Sequence, residues 1–318
     1  REAILTVSWI SCRVKIIRMI ILALSTRNLL NNLHKDIYNK WHPSAIILCS
    51  VGLELDARLI VEFRKYKVPS ITVVQSWDKT SSKGYPLAMP DRVLVWSDAM
   101  AEECKNFLDI LEVNIEVVGS PAFDAYFNPK IKQPKKLFIE SLGLESEHKN
   151  IFCALNTPSY HQGNLDLVLL LSKALSEERF SQSANLILRI HPAYYENSDE
   201  SITAKRVELL NLLNDLSSHP YIHVNFPDIS EESYSYIINS SDSEFIANML
   251  AYSDVSISIL STQMIESALF DCPSITIEYG FWSSNVLEIT LQNFRLEHIE
   301  RVLKTNAVSR ARDPSELI

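Results

Sequence analysis

Glycine is scarce in this chain of 318 residues, six in all, and no Gly-rich loop occurs in its first half, which excludes the usual dinucleotide-binding turn there. The five cysteines (Cys12, Cys49, Cys104, Cys153, Cys272) lie far apart, several within apolar runs where a thiol packs as a small hydrophobe. That spacing excludes a cysteine-ligated metal cluster, and the expected setting is a reducing cytosol. Long hydrophobic runs are also missing. The most apolar early stretch, Val14 to Leu24, is broken by Lys15 and Arg18 and falls short of the ~20 residues a spanning helix needs. A buried helix of the first domain accounts for it; the alternative is peripheral contact of a basic, apolar helix with the inner face of a membrane. Nor is there a basic stripe: net charge is −9 with Lys and Arg scattered, which argues against a nucleic-acid partner.

What is present is core. Hydrophobic residues make up 47% of the chain, enough for two domains of roughly 150 residues each. In the second half, β-rich runs at Asn150–Leu155, Asn185–His191, Tyr221–Asn225, Asp254–Ile259 and Ser274–Glu278 alternate with helical periodicity at Leu165–Leu175, Ala204–Leu216, Phe245–Ala251 and Gln263–Phe270. This alternation predicts parallel strands joined by helical crossovers. The first half repeats it less regularly, with strands near Ala45–Cys49, Ser70–Gln75, Arg92–Trp96 and Ile115–Val118 and helices near Leu55–Tyr66 and Asp98–Leu108. Asn128 to Lys136, polar with two prolines, reads as the linker, so the expected domains are 1–130 and 131–318. Pro227–Glu244 reads as a polar loop, and the last segment is expected to pack back across the junction. Because the chain begins at Arg1 and enters apolar sequence at once, the first domain is read as open to lacking its natural first strand.

Parallel α/β sheets bind ligands beyond the carboxyl ends of their strands, so the candidate residues are those just after each strand. In Ile259-Leu260-Ser261-Thr262-Gln263, a strand enters a helix through two hydroxyl residues that can meet a phosphate, and Glu266 one turn later can accept from a ribose diol. An ordinary helix cap accounts for the same hydroxyls. His191, before Pro192, projects where a strand is forced to stop and is a candidate catalytic residue there, able to bond a phosphate or a leaving-group oxygen, although a lone histidine there is commonly structural. His161 lies in the polar loop Leu155–Gly163 after the first strand of this half, and Asp78 in the loop Gln75–Gly84 is a candidate acceptor-activating base.

Together these segments resemble a known pattern. Asp254–Ser258, Ser261-Thr262 and Glu266–Pro273 resemble the donor-domain signature of GT-B glycosyltransferases, and Val118–Asp124 the segment leading to their linker. His191-Pro192 resembles the His-Pro element of sialyl- and Kdo-type transferases and of CDP-glycerol glycerophosphotransferases. The resemblance implies two Rossmann-like domains with parallel sheets facing a cleft, the first on the acceptor side and the second holding a nucleotide-sugar donor of UDP, CMP, CDP or GDP type. It implies sugar transfer to a glycan or lipid-linked acceptor, as in surface polysaccharide biosynthesis, with Ser261, Thr262, His161 and His191 toward the donor phosphate and Glu266 toward the ribose. No Asp-x-Asp metal motif stands out, so no metal and no cofactor are expected. Glycerophosphate transfer, sugar-nucleotide epimerisation and non-catalytic nucleotide or carbohydrate binding are the alternatives.

Overall fold

The structure, a computed structural model, describes residues 14–29, 32–129, 131–195, 200–230, 237–278 and 292–318. Cys12 lies outside them. The chain divides into two compact units, Arg1–Ala122 and Phe123–Ile318.

The first unit carries α1 (Lys15–Asn28), α2 (Lys35–Trp41), β1 (Ile46–Leu48), α3 (Glu54–Arg64), β2 (Ser70–Val73), β3 (Arg92–Val95), α4 (Asp98–Leu108) and β4 (Ile115–Val117). Its strands pair in the order β1-β2-β3-β4, all parallel. Ser97 caps α4 by accepting from the Met100 N–H, and Asp109 ends it in the left-handed conformation at φ 55°. The Asp109 carboxylate then receives Arg18 of α1 at 2.7 Å and the Tyr85 hydroxyl at 3.0 Å. The bond from Arg18 holds Asp109 below the ordinary carboxylate range despite its partial burial. The stabilisation is therefore present above an unfolded-state pKa of about 3.9 and is lost as pH falls through the lower folded value. Asp109→Asn should cost about 1–3 kcal/mol at neutral pH and flatten the acid limb of a stability-versus-pH curve below about pH 4.

α1 corrects one expectation. It is not a buried helix: Ile16, Met19, Ile20 and Leu24 are each more than half exposed, with Ile16 at 68%. Its apolar residues recur at four-residue spacing, but the polar end of Arg18 ties the opposite face to Asp109 and leaves the stripe outward. Among the described residues no helix is long and apolar enough to cross a membrane.

The second unit opens with the 3-10 segment Pro121–Phe127, in which the division between the units falls. It continues through α5 (Lys135–Ser141), β5 (Lys149–Ala154), α6 (His161–Ser176), β6 (Ala184–Arg189), α7 (Glu200–Leu216), β7 (Ile222–Asn225), β8 (Ile229–Ser230), β9 (Ile237–Ile238), α8 (Ser240–Tyr252), β10 (Val255–Ser258), α9 (Gln263–Ala268), β11 (Ser274–Ile277), α10 (Glu297–Lys304), β12 (Val308–Ala311) and α11 (Pro314–Leu317). Six strands form a parallel sheet in the order β12-β11-β10-β5-β6-β7, and β8 and β9 make a short antiparallel pair. Both faces are covered. Leu167, Val168, Leu171, Leu209 and Leu213 of α6 and α7 pack on Cys153, Leu186, Leu188 and Ile257. On the other face Phe138, Ile139, Met249 and Leu250 pack on Phe152 and Ile187.

Two further expectations change here. The residues read as linker run into α5, because Pro134 sits at its N-cap, where a missing N–H costs no helical bond. Part of the polar loop is the first turn of α8, which is polar because it carries a buried acid, Asp242. Within the second unit the last segment adds β12 beside β11, and Leu317 joins the core.

Candidate functional site

Strand order decides where a ligand fits. From β5 the chain moves outward through β6 and β7, then returns to lay β10 on the other side of β5 and moves outward again through β11 and β12. The switch point, where loops leave the sheet in opposite directions and open a crevice, is therefore between β5 and β10. The described strands of the first unit run in one direction and have no such point.

The switch point is rigidly tied. Asn156, just after β5, donates its side-chain amide to the Ile259 carbonyl just after β10. Asn164 fixes Asn156 by accepting its backbone N–H at 2.9 Å and donating to its carbonyl at 2.8 Å. Asn164 also donates to the Tyr194 hydroxyl, which meets His161 Nδ1 at 3.0 Å. His161 Nε2 lies 2.9 Å from Glu208. Both ring nitrogens of the buried His161 thus meet protein groups, Tyr194 inside the unit and Glu208 at its surface. The bond to Glu208 ties the start of α6 to α7.

Beyond β10, Leu260 adopts φ 39°, a left-handed conformation that a bulky residue rarely holds, and its N–H donates to Thr276 Oγ1 at 3.2 Å. The corner turns the chain into Ser261 and Thr262, both half-buried. Thr262 stands at the N-cap of α9 but makes no side-chain cap bond, whereas Ser261 Oγ accepts from the Gln263 N–H at 3.3 Å. α9 has only six residues, so the anion preference expected from a helix macrodipole is small here.

Beneath these loops one face of the sheet ends in polar side chains. In register across the strands stand Arg310, Thr276, Ser258, Arg189 and Asn225, interrupted only by Ala154 on β5, an unusual row for a parallel sheet covered on both faces. The Ser258 hydroxyl is fully buried and without a partner. Arg189 is buried, donates to Asn225 and to Asp242 of α8, the latter at 2.5 Å, and its charge acts on both His191 and Glu266.

His191 accepts the Ala193 N–H on Nδ1 at 3.0 Å. That bond places the ring proton on Nε2 in the neutral form. Burial, helped by the positive charge of Arg189, pushes its pKa down to about 4. At neutral pH His191 is therefore an uncharged N–H donor rather than a proton carrier. Burial raises the pKa of Glu266 against the opposing influence of Tyr126 and of the positive charge of Arg189.

Asp78 lies in the first unit, in the loop after β2. Its carboxylate accepts from Ser76 Oγ at 2.6 Å and pairs with Lys83 at 3.2 Å. Four of the expected residues, Ser261, Thr262, His191 and Glu266, thus belong to the carboxyl ends of one sheet. Sequence reasoning passed over Arg189, Asn156, Asn164 and Tyr126. Arg189 was visible in principle, as a charge inside the apolar run Leu186-Ile187-Leu188-Arg189-Ile190. Two cavities of about 390 and 430 Å³ open around His219, at the other end of the same sheet, away from these donors. Among the described residues no three His, Cys, Asp or Glu side chains gather in a metal-holding group.

No protein-family model and no curated protein sequence matches this chain. Solved structures do match. The UDP-GlcNAc 2-epimerase of Neisseria meningitidis, bound to UDP-GlcNAc, aligns over 92% of this chain and 71% of its own, with TM-score 0.57 and 12% identity. The UDP-GlcNAc 2-epimerase of Methanocaldococcus jannaschii aligns over 93% and 72%, with TM-score 0.54 and 14% identity. S. aureus MnaA, solved with UDP, aligns over 93% and 78%, with TM-score 0.51 and 13% identity. Likeness at such identities speaks to architecture, and it agrees with the two parallel sheets described above: the chain has a GT-B-like fold built from two Rossmann-like units.

Proposed function

We propose that the second unit binds a nucleotide-activated sugar at the β5/β10 switch point and that the protein is a glycosyltransferase using it as donor. The observation that carries this reading is the set of donors around that point. Ser261 and Thr262 follow β10, and His191 follows β6, two strands away or roughly 10 Å at the usual ~4.8 Å strand spacing. One diphosphate linked to a ribose covers such a span. Ser261 and Thr262 hydroxyls would hold one phosphate, His191 Nε2–H the other, and Glu266 the ribose diol. As the leaving nucleotide gains charge, fixed donors in a half-buried site stabilise it without reorganising. Asp78 of the first unit is assigned as the base that receives the acceptor hydroxyl proton, which requires its pairing with Lys83 to open.

A second reading is favoured by a specific observation: the solved structures with the same fold include UDP-GlcNAc 2-epimerases. Epimerisation needs no acceptor. Incubating the protein with UDP-, GDP-, CDP- and CMP-sugars, alone and with a glycan or lipid-linked acceptor, separates the two. Acceptor-dependent nucleotide release supports transfer, and a new sugar-nucleotide formed without acceptor supports epimerisation. Under either, His191→Ala should weaken binding of the nucleotide by about 1.5–3 kcal/mol, the usual size for a lost bond to a charged group, as measured by calorimetry.

A further inference from the structure

We propose that α1 and α2 form a docking surface for an anionic lipid bilayer, their exposed apolar residues entering the headgroup boundary. The proposal is independent of the nucleotide-binding reading above.

Each helix has a packed inner face and an apolar outer one. α1 is held on its inner side by Arg18, whose guanidinium donates twice to Asp109, at 2.7 and 3.0 Å. Just past its end Leu29 is buried with Leu48, Ala57 and Ile60. α2 is held by Tyr38, stacked on Tyr66 at 3.8 Å between centroids. Glu62 of α3 accepts the Leu33 and His34 N–H groups, at 3.0 and 2.9 Å, just before α2 begins. These contacts set which side of each helix is left to solvent. On α1, Ile16, Ile20 and Leu24 follow one another a turn apart and are exposed. Leu33, Ile37 and Trp41 have the same spacing through α2, with Trp41 at 68% exposure. Both helices pack against α3, so the two stripes belong to one region of the first unit. Single exposed apolar residues are ordinary, but stripes on adjoining helices mark an interaction surface.

Charge selects the occupant. The whole chain carries −9, yet between residues 14 and 42 Lys15, Arg18, Arg27, Lys35 and Lys40 stand with a single acid, Asp36. Arg18 spends its charge on Asp109, whereas Arg27, Lys35 and Lys40 are exposed. Lys40 Nζ lies 5.0 Å from the centre of the Trp41 ring, and an indole beside a long cationic side chain suits the headgroup level of a bilayer. A second copy of this chain fits poorly, because a two-fold contact would set these cations against themselves. A nucleic acid would leave the apolar stripes in water. An anionic bilayer accommodates both, the stripes at the acyl boundary and the cations among the headgroups. With 14 residues α1 is ~21 Å long, and it would lie in that boundary rather than cross the bilayer.

The test floats the full chain with vesicles of phosphatidylcholine alone and of phosphatidylcholine mixed with phosphatidylglycerol, at low and high salt. It compares wild type, Ile16→Gln with Ile20→Gln, and Lys35→Glu with Lys40→Glu. All four side chains are exposed, so the melting temperature of each variant should not move. Wild type should bind the mixed vesicles about 10-fold more tightly than the neutral ones, and high salt should remove most of that difference. Each double variant should lose about 10-fold on the mixed vesicles. Brominated phosphatidylcholine in those vesicles should quench wild-type tryptophan fluorescence, and Trp41→Phe should remove most of the quenching although the other tryptophans remain. If the isoleucine pair lowers the melting temperature, the lysine pair and Trp41→Phe decide alone. No binding by wild type, equal binding to the two kinds of vesicle, or quenching untouched by Trp41→Phe would overturn the proposal. Self-association in ultracentrifugation that Ile16→Gln with Ile20→Gln removes would assign the surface to a second copy, and would overturn it as well.

Discussion

Asp242→Ala should destabilise the protein by about 3–5 kcal/mol in denaturant unfolding, more than loss of an ordinary surface pair. Arg189 and Asp242 are both nearly inaccessible, with side chains 9% and 6% exposed. Removing the acid leaves a guanidinium inside the unit with one remaining neutral partner, Asn225, and an increased pull on Glu266. Desolvation of that unpaired charge is the main cost. Replacing both residues together, as in Arg189→Met with Asp242→Leu, should recover much of the stability, because two apolar side chains of similar size leave no charge to compensate. The double replacement should nonetheless lose nucleotide affinity, since the electrostatic setting of His191 and Glu266 goes with it. A double variant as unstable as Asp242→Ala would show that the pair supplies packing and not charge balance.

The second large effect is in the core. Phe152 lies at zero exposure in β5, the strand flanked by both arms of the sheet, and packs with Phe138, Ile187 and Met249. Phe152→Ala should cost about 3–5 kcal/mol, the transfer free energy of the ring plus the cavity it leaves. Because α8 presses on the same cluster and also delivers Asp242 to Arg189, the loss should be felt at the strand ends as well. Measured by chemical unfolding, Phe152→Ala should lower the midpoint with an unchanged slope. A cost below about 1 kcal/mol would mean that the helix layer readily collapses onto the smaller side chain.

Most of the strands could be read in advance because they are short apolar, β-branched runs between polar loops, as in Ser70-Ile71-Thr72-Val73 and Ala184–Leu188. β12 escaped because it is an edge strand: Ser309 and Arg310 are exposed, so Val308-Ser309-Arg310-Ala311 carries no apolar run. α5 and the start of α8 escaped because prolines, lysines and serines that open a helix look the same in sequence as those that fill a loop. α1 shows the reverse failure, an apolar stripe that sequence reasoning buried and the structure leaves outward.

At the site, the strand-end rule leads to Ser261, Thr262, Glu266 and His191, each of which follows a recognisable strand, and the structure places them toward the carboxyl ends of one sheet. What the rule cannot supply is which side chains already have partners. His161 satisfies the same rule, yet its nitrogens are spent on Tyr194 and Glu208. Tyr126 satisfies none of it, because it meets Phe270 near α9 only through packing between segments distant in sequence.

The central claim is that the carboxyl ends of β5, β6 and β10 hold a nucleotide phosphate, and one variant tests it most directly. In Ser261→Ala with Thr262→Ala, melting temperature and affinity for UDP, GDP, CDP and CMP are measured on the same preparation. Thr262 makes no cap bond and Ser261 only a long one, so the melting temperature should barely move, while affinity for the preferred nucleotide falls by about 1–3 kcal/mol. A stability loss of about 0.5–2 kcal/mol with nucleotide affinity unchanged would instead make the pair a helix cap and contradict the account.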